Sequence, residues 1–143
     1  MTRSSAMACG IPKPRLLVVD DEEAILLAIS DYFVVQGFEV DCARDAVGAM
    51  RLLDQGTYDG VIVDLRLSGS DSAEGLEIIE RVRDRSPMTK TIIITAYGSW
   101  EAERDARRRE VDLFLHKPVR LPEIARLVTS LIAIRGLADP DTK

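Results

Sequence analysis

The chain has 143 residues, enough for one compact domain and too few for two ordinary ones. Hydrophobic residues make up 46% and charged residues 30%, the balance of a globular protein and not of a disordered chain. Lys plus Arg number 19 against 24 Asp plus Glu, a net charge of -5 that argues against nucleic acid or an anionic membrane as the main partner.

Met1 to Pro14 reads as a flexible lead without the continuous apolar core of a signal peptide. No apolar run approaches the roughly 18 residues of a membrane span. The two cysteines, Cys9 and Cys42, are too few for a disulfide framework and read as reduced thiols of a cytoplasmic protein.

Arg15 to Asp20 is a short apolar run ending in acid, the pattern of a strand buried on both faces. Ile25, Ala28, Ile29, Tyr32 and Phe33 share one helical face, and Gly37 supplies a stop. Phe38 to Ala43 alternates like a strand, Ala46 to Leu53 is helical, and Gly60 to Asp64 is a second buried strand ending in acid. Leu76, Ile79 and Val82 mark a third helix that stops before Pro87. Thr91 to Thr95 is apolar throughout, Ser99 to Arg109 is a charged helix, and Val111 to Leu115 is a strand. Ile124, Leu127, Val128, Leu131 and Ile132 form a last helical stripe before Gly136, which leaves 136–143 as a tail.

Five continuously apolar strands alternating with five helices predict a doubly wound α/β fold, a five-stranded parallel sheet covered on both faces. Ligands of such sheets sit at the carboxyl ends of the strands, near the switch in strand order. Those ends carry Asp20 and Asp21, then Asp64, Thr95 and Lys117. Singly, an Asp there is a cap or turn former, a Thr reflects strand propensity, and a Lys before Pro is a surface residue. Together on one rim they have a chemical meaning. Two carboxylates about 5 Å apart repel by roughly 3 kcal/mol at an effective dielectric near 20, so three call for a cation. An all-oxygen site suits Mg²⁺, whereas zinc prefers His or Cys. A hard cation, a carboxylate, a hydroxyl and a Lys are equipment for phosphoryl transfer, with a carboxylate as nucleophile.

The motifs Leu17-Val18-Val19-Asp20-Asp21-Glu22, Val61-Ile62-Val63-Asp64-Leu65, Ile93-Ile94-Thr95-Ala96 and Leu115-His116-Lys117-Pro118 come in order on successive strands. In this the chain resembles the receiver domain of two-component response regulators, a flavodoxin-like fold, over about residues 15–135. The resemblance implies that Asp64 accepts a phosphoryl group from a histidine kinase or phosphotransfer protein. It implies Mg²⁺ on Asp21, Asp64 and the backbone carbonyl of Arg66, with Asp20 acting through a water on the metal. Thr95 would turn to the phosphoryl group and Lys117 would pair with its charge. Phe114 matches the aromatic switch position, and the Lys117–Pro118 bond would be cis. The signal would leave through the fourth helix, fifth strand and fifth helix to a downstream effector protein. The protein would be a monomer or a phosphorylation-dependent dimer, cytoplasmic, with no enzymatic chemistry beyond its own phosphorylation and dephosphorylation.

The loop between Asp64 and Gly75 is about three residues longer than is usual in the family, and Ser68 stands where a Pro is customary. Asp71 and Glu74 read as solvated loop residues. Arg66 and Tyr97, two past the acceptor and two past the Thr, are both large; they are expected to hinder water and prolong the phosphorylated state. Arg104, Arg107, Arg108 and Arg109 among four acids read as a solvated helix face with internal ion pairs, or as a docking patch. Trp100 serves contact or packing, and His116 reads as structural. Two other classes stay open. A Mg²⁺-dependent phosphohydrolase would normally carry an Asp where this chain has Arg66, and a non-phosphorylated docking module has usually lost site residues. A stand-alone switch, a relay component and a fragment of a longer regulator are equally compatible with the sequence.

Overall fold

A computed structural model describes residues 13–65, 73–96 and 100–141, with side chains described for these except 73 and 134–141. Five strands, β1 (Arg15–Val19), β2 (Glu39–Ala43), β3 (Gly60–Val63), β4 (Lys90–Thr95) and β5 (Leu113–His116), form one parallel sheet in the order β2-β1-β3-β4-β5. Helices α1 (Glu23–Val35), α2 (Ala46–Gln55), α3 (Ala73–Arg85), α4 (Trp100–Arg108) and α5 (Leu121–Asp141) alternate with them. This is the doubly wound α/β fold that the alternation of apolar strands and amphipathic stripes predicts.

The pleat sends successive side chains to opposite faces, which is why the strands are apolar throughout. Leu16, Val18, Ile62, Ile92 and Ile94 pack with Leu26, Ile29 and Phe33 of α1 and Ile124 and Val128 of α5. Leu17, Val19, Val61, Val63 and Ile93 pack on the other face with Ala49 of α2, Ile78, Ile79 and Val82 of α3, and Ala106 of α4. Each Leu or Ile so buried contributes roughly 1.5–3 kcal/mol, so the two layers together hold the sheet flat against its helices.

Local chemistry sets the helix ends. At the end of α1, Gly37 adopts φ +100, and the N–H groups of Gly37 and Phe38 donate to Val34 and Phe33 carbonyls at 3.0 Å, closing a Schellman turn. The Asp45 side chain caps α2 by accepting the Gly48 N–H at 2.8 Å. α4 ends in a similar turn without glycine: Glu110 takes φ 62, and Val111 N–H reaches the Ala106 carbonyl at 3.2 Å.

Two boundaries differ from the sequence expectation. β5 starts at Leu113, not Val111, because Asp112 joins β4 through its side chain, accepting the Thr91 N–H at 2.8 Å, while its own N–H donates to Thr91. α5 runs through Gly136 to Asp141, where a tail was expected. One glycine costs a helix interior only about 1 kcal/mol relative to alanine, too little by itself to end it. Cys42 is a free, exposed thiol; Cys9 lies outside the described residues. Among the described residues no helix is long and apolar enough to cross a membrane.

Candidate functional site

The strand order reverses between β1 and β3, the place where a doubly wound sheet opens a crevice at its carboxyl edge. Asp20 follows β1 and Asp64 follows β3, one on each side of that switch point. Backbone bonds carry the ladder one residue past the strands. Asp20 N–H donates to Ala43 at 3.1 Å, Asp64 N–H to Val19 at 3.0 Å, and Lys117 N–H to Thr95 at 2.9 Å. The reactive side chains are thus mounted on the ordered edge of the sheet.

Four of the residues singled out in the sequence meet there. Lys117 Nζ lies 3.0 Å from Asp20 Oδ2 and 2.9 Å from Asp64 Oδ2, joining the two carboxylates. Thr95 Oγ1 donates to Asp64 Oδ1 at 2.9 Å. Asp20 Oδ1 accepts the Glu22 N–H at 2.9 Å, a turn closed by the side chain two residues back. Asp20, Asp64 and Thr95 are buried and Lys117 is half-buried. The Lys117–Pro118 peptide is cis, as the resemblance implies.

Burial, helped by the charge of Asp64, holds the Asp20 carboxyl above the usual aspartate value, although the Glu22 N–H and Lys117 pull the other way. Burial would lower the Lys117 ammonium, but its hydrogen bonds to Asp64 and Asp20 and their charges outweigh it and hold it above the usual lysine value. The site is therefore a pair of buried acids that share one permanent cation.

One expectation changes in this light. The repulsion among the acids was expected to need a metal; between Asp20 and Asp64 the Lys117 ammonium already supplies a bridging positive charge. Among the described residues no group of three or more His, Cys, Asp and Glu side chains is arranged to hold a metal ion, and Arg66, whose carbonyl was expected to contribute, lies outside them. Asp21 is half-buried at the same strand end. The donor set remains all carboxylate oxygen. It fits a hard cation that binds through one or two carboxylates and keeps several waters.

The remaining candidates lie apart. Phe114 is half-buried on the β5 face that packs with α2, α3 and α4, its ring centroid 5.2 Å from that of His116. His116 is exposed, 3.6 Å from Glu103 of α4. Glu103 also takes Arg107 at 2.6 Å, and Arg109 reaches Glu80 of α3 at 2.7 Å. The charged run thus forms ion pairs, one within α4 and one across to α3. Trp100 is exposed with the Arg104 guanidinium 4.7 Å from its ring centre. Glu74 is half-buried in the first turn of α3. Arg66, Ser68, Asp71 and Tyr97 lie outside the described residues. The sequence marks Gly75 only as the end of the loop after Asp64; the structure shows that a Cβ there would lie 2.7 Å from the Asp64 carbonyl oxygen, a closeness that residue spacing does not reveal.

Fold and site geometry define a receiver-type α/β domain. Comparison with known proteins makes the family explicit: residues 16–129 match the response regulator receiver domain, and the chain belongs to that family. Members of this family act as phosphoacceptor switches in two-component systems. The chain is 32% identical over 127 residues to the transcriptional regulatory protein TcrA of Mycobacterium tuberculosis, covering 87% of this chain and 49% of TcrA. It spans about half or less of the length of the curated relatives it matches. Among solved structures it is similar to a CheY-like receiver domain protein from Methanospirillum hungatei, with TM-score 0.81 and 23% identity over 87% of this chain and 97% of that one. It is also similar to a Burkholderia pseudomallei response regulator solved with a phosphorylated aspartic acid, a calcium ion and citrate. There the TM-score is 0.75 and the identity 22%, over 89% of this chain and 73% of that one.

Proposed function

We propose that Asp64 is the phosphoacceptor of a signalling switch, phosphorylated by a histidine kinase or phosphotransfer protein. In the transfer, a carboxylate oxygen of Asp64 forms a bond to phosphorus as the bond from phosphorus to the donor imidazole nitrogen breaks, its electron pair leaving on that nitrogen. The observation that carries the reading is the arrangement around Asp64: a hydroxyl donor on one oxygen and an ammonium on the other, both at 2.9 Å. The same two donors are placed to meet charge on a phosphoryl group attached to that carboxylate.

Asp21 and Asp64, with the Arg66 carbonyl and with Asp20 acting indirectly, would hold Mg²⁺, whose chemistry when bound is to neutralise phosphoryl oxygens. Thr95 donates to the carboxylate, Lys117 balances its charge, and burial of Asp64 limits access of bulk water. A shift of a two-state equilibrium from 1:99 to 99:1 needs about 5.5 kcal/mol. One hydrogen bond to a charged group supplies about 1.5–3 kcal/mol, so Thr95 and Lys117 must act together. The readout is the face formed by α4, β5 and α5, where Phe114 lies and where an effector protein would dock.

The test is incubation with Mg²⁺ and acetyl phosphate followed by intact mass. Wild type should gain one phosphoryl group and Asp64→Asn none. Equal gain in both proteins, or none in wild type, would overturn the assignment, and multiple turnover of a small phosphomonoester would place the chain with the hydrolases.

A further inference from the structure

We propose that Gly75 is a positioning residue for Asp64, letting the first turn of α3 rest on the Asp64–Leu65 backbone and so fixing where the carboxylate stands. This rests on the reading of Asp64 as acceptor. A Cβ added at Gly75 would lie 2.7 Å from the Asp64 carbonyl oxygen, 2.7 Å from Leu65 Cα and 2.9 Å from the Leu65 carbonyl oxygen. All three are main-chain atoms, which cannot swing aside as a side chain can. Gly75 N–H also donates to the Leu65 carbonyl at 3.2 Å. At the other glycines with described surroundings, an added Cβ would meet nothing closer than a side-chain atom at 3.1 Å, and no backbone atom closer than 3.8 Å.

Ordinary contact begins at 3.4 Å, so any side chain at position 75 must open the gap by about 0.7 Å. The helix side resists, because Leu76, Ile78, Ile79 and Val82 are anchored in the core. The strand side is packed as well, with Leu65 fully buried in the same cluster and Asp64 N–H bonded to Val19 just past the end of the β1–β3 register. The atoms that an added Cβ meets all belong to Asp64 and Leu65, so part of the displacement falls on them. Even half of that shift carries a 2.9 Å hydrogen bond to the edge of its range, and the whole of it breaks the bond, for Thr95 and Lys117 alike.

The experiment compares the full chain, Gly75→Ala and Val82→Ala, the last removing buried α3 atoms that Asp64 does not touch. Two quantities are read: the rate of phosphoryl uptake per folded molecule against acetyl phosphate concentration, and the ¹⁵N resonance of Lys117 Nζ. Gly75→Ala should fold, lose on the order of tenfold to a hundredfold in maximal rate with unchanged half-saturation, and shift the Lys117 resonance. Val82→Ala should melt earlier yet keep both rate and resonance. Gly75→Ala behaving like Val82→Ala in both readouts would overturn the proposal. So would its failure to fold, which would assign Gly75 to folding instead. If wild type takes up no phosphoryl group, the reading of Asp64 falls, while an unmoved Lys117 resonance would separately reject the positioning role.

Discussion

Replacing Lys117 by Met removes the one charge shared by two buried acids and keeps most of the aliphatic stem. The two carboxylate oxygens on that ammonium are no more than about 6 Å apart, since both touch the same nitrogen. Their mutual repulsion is about 3 kcal/mol at an effective dielectric near 20. Breaking a buried pair by deleting one partner typically costs about 3–5 kcal/mol. The Lys117 side chain is 19% exposed, which places the expected loss near the lower end, about 3 kcal/mol. For a chain of this size that is a fall in melting temperature of about 10 °C. The pH dependence follows from the shifts. Lys117 is held above the ordinary lysine value, so its contribution is intact at neutral pH and is lost only in strongly alkaline solution. Without it, Asp20 keeps burial and the Asp64 charge, which push its carboxyl up further, so acidification relieves the variant more than the wild type. Thermal and urea unfolding at pH 7.5 and pH 5, with chelator present, should show a gap that narrows on acidification. A variant within about 0.5 kcal/mol of wild type at pH 7.5, a change typical of a neutral surface substitution, would refute the reasoning, as would a gap that widens at pH 5.

Three further outcomes are expected. Thr95→Val leaves Asp64 Oδ1 without its hydroxyl donor and should cost about 1–3 kcal/mol in urea unfolding while slowing phosphoryl uptake. In chelator at pH 7.5, Asp20→Asn should raise the melting temperature. Burial holds the folded Asp20 carboxyl above its usual value, so ionising it costs stability above that range, and the cost disappears as the pH falls through it. An unchanged or lower melting temperature would contradict this. Glu110→Gly should stabilise by about 1 kcal/mol, since φ 62 is strained for a residue with a Cβ and free for glycine. A loss of stability would show that the Glu110 side chain matters more than its backbone.

Much of this molecule was legible in the sequence because strand burial and strand-end chemistry are local signals. Arg15 to Asp20 and Gly60 to Asp64 announce both a buried strand and an acid at its carboxyl end, so topology alone brings Asp20 and Asp64 together. Lys117 was legible as a member of the rim, whereas its bridging of Asp20 as well as Asp64 required coordinates. The start of β5 was misplaced because Asp112 mimics a strand residue with its side chain. The end of α4 carries no glycine signal, since Glu110 occupies the left-handed position itself. Gly75 stayed silent because a backbone contact between α3 and the end of β3 leaves no periodicity behind.

Locating the phosphorylated atom tests the central claim most directly. After reaction with acetyl phosphate and Mg²⁺, borohydride reduction converts an aspartyl phosphate to homoserine, which peptide sequencing by mass spectrometry can place. Homoserine at position 64, absent when the donor is omitted, is the expected result. Reduction at Asp20 or Asp21 instead, or at no aspartate while the intact mass has risen, would contradict it.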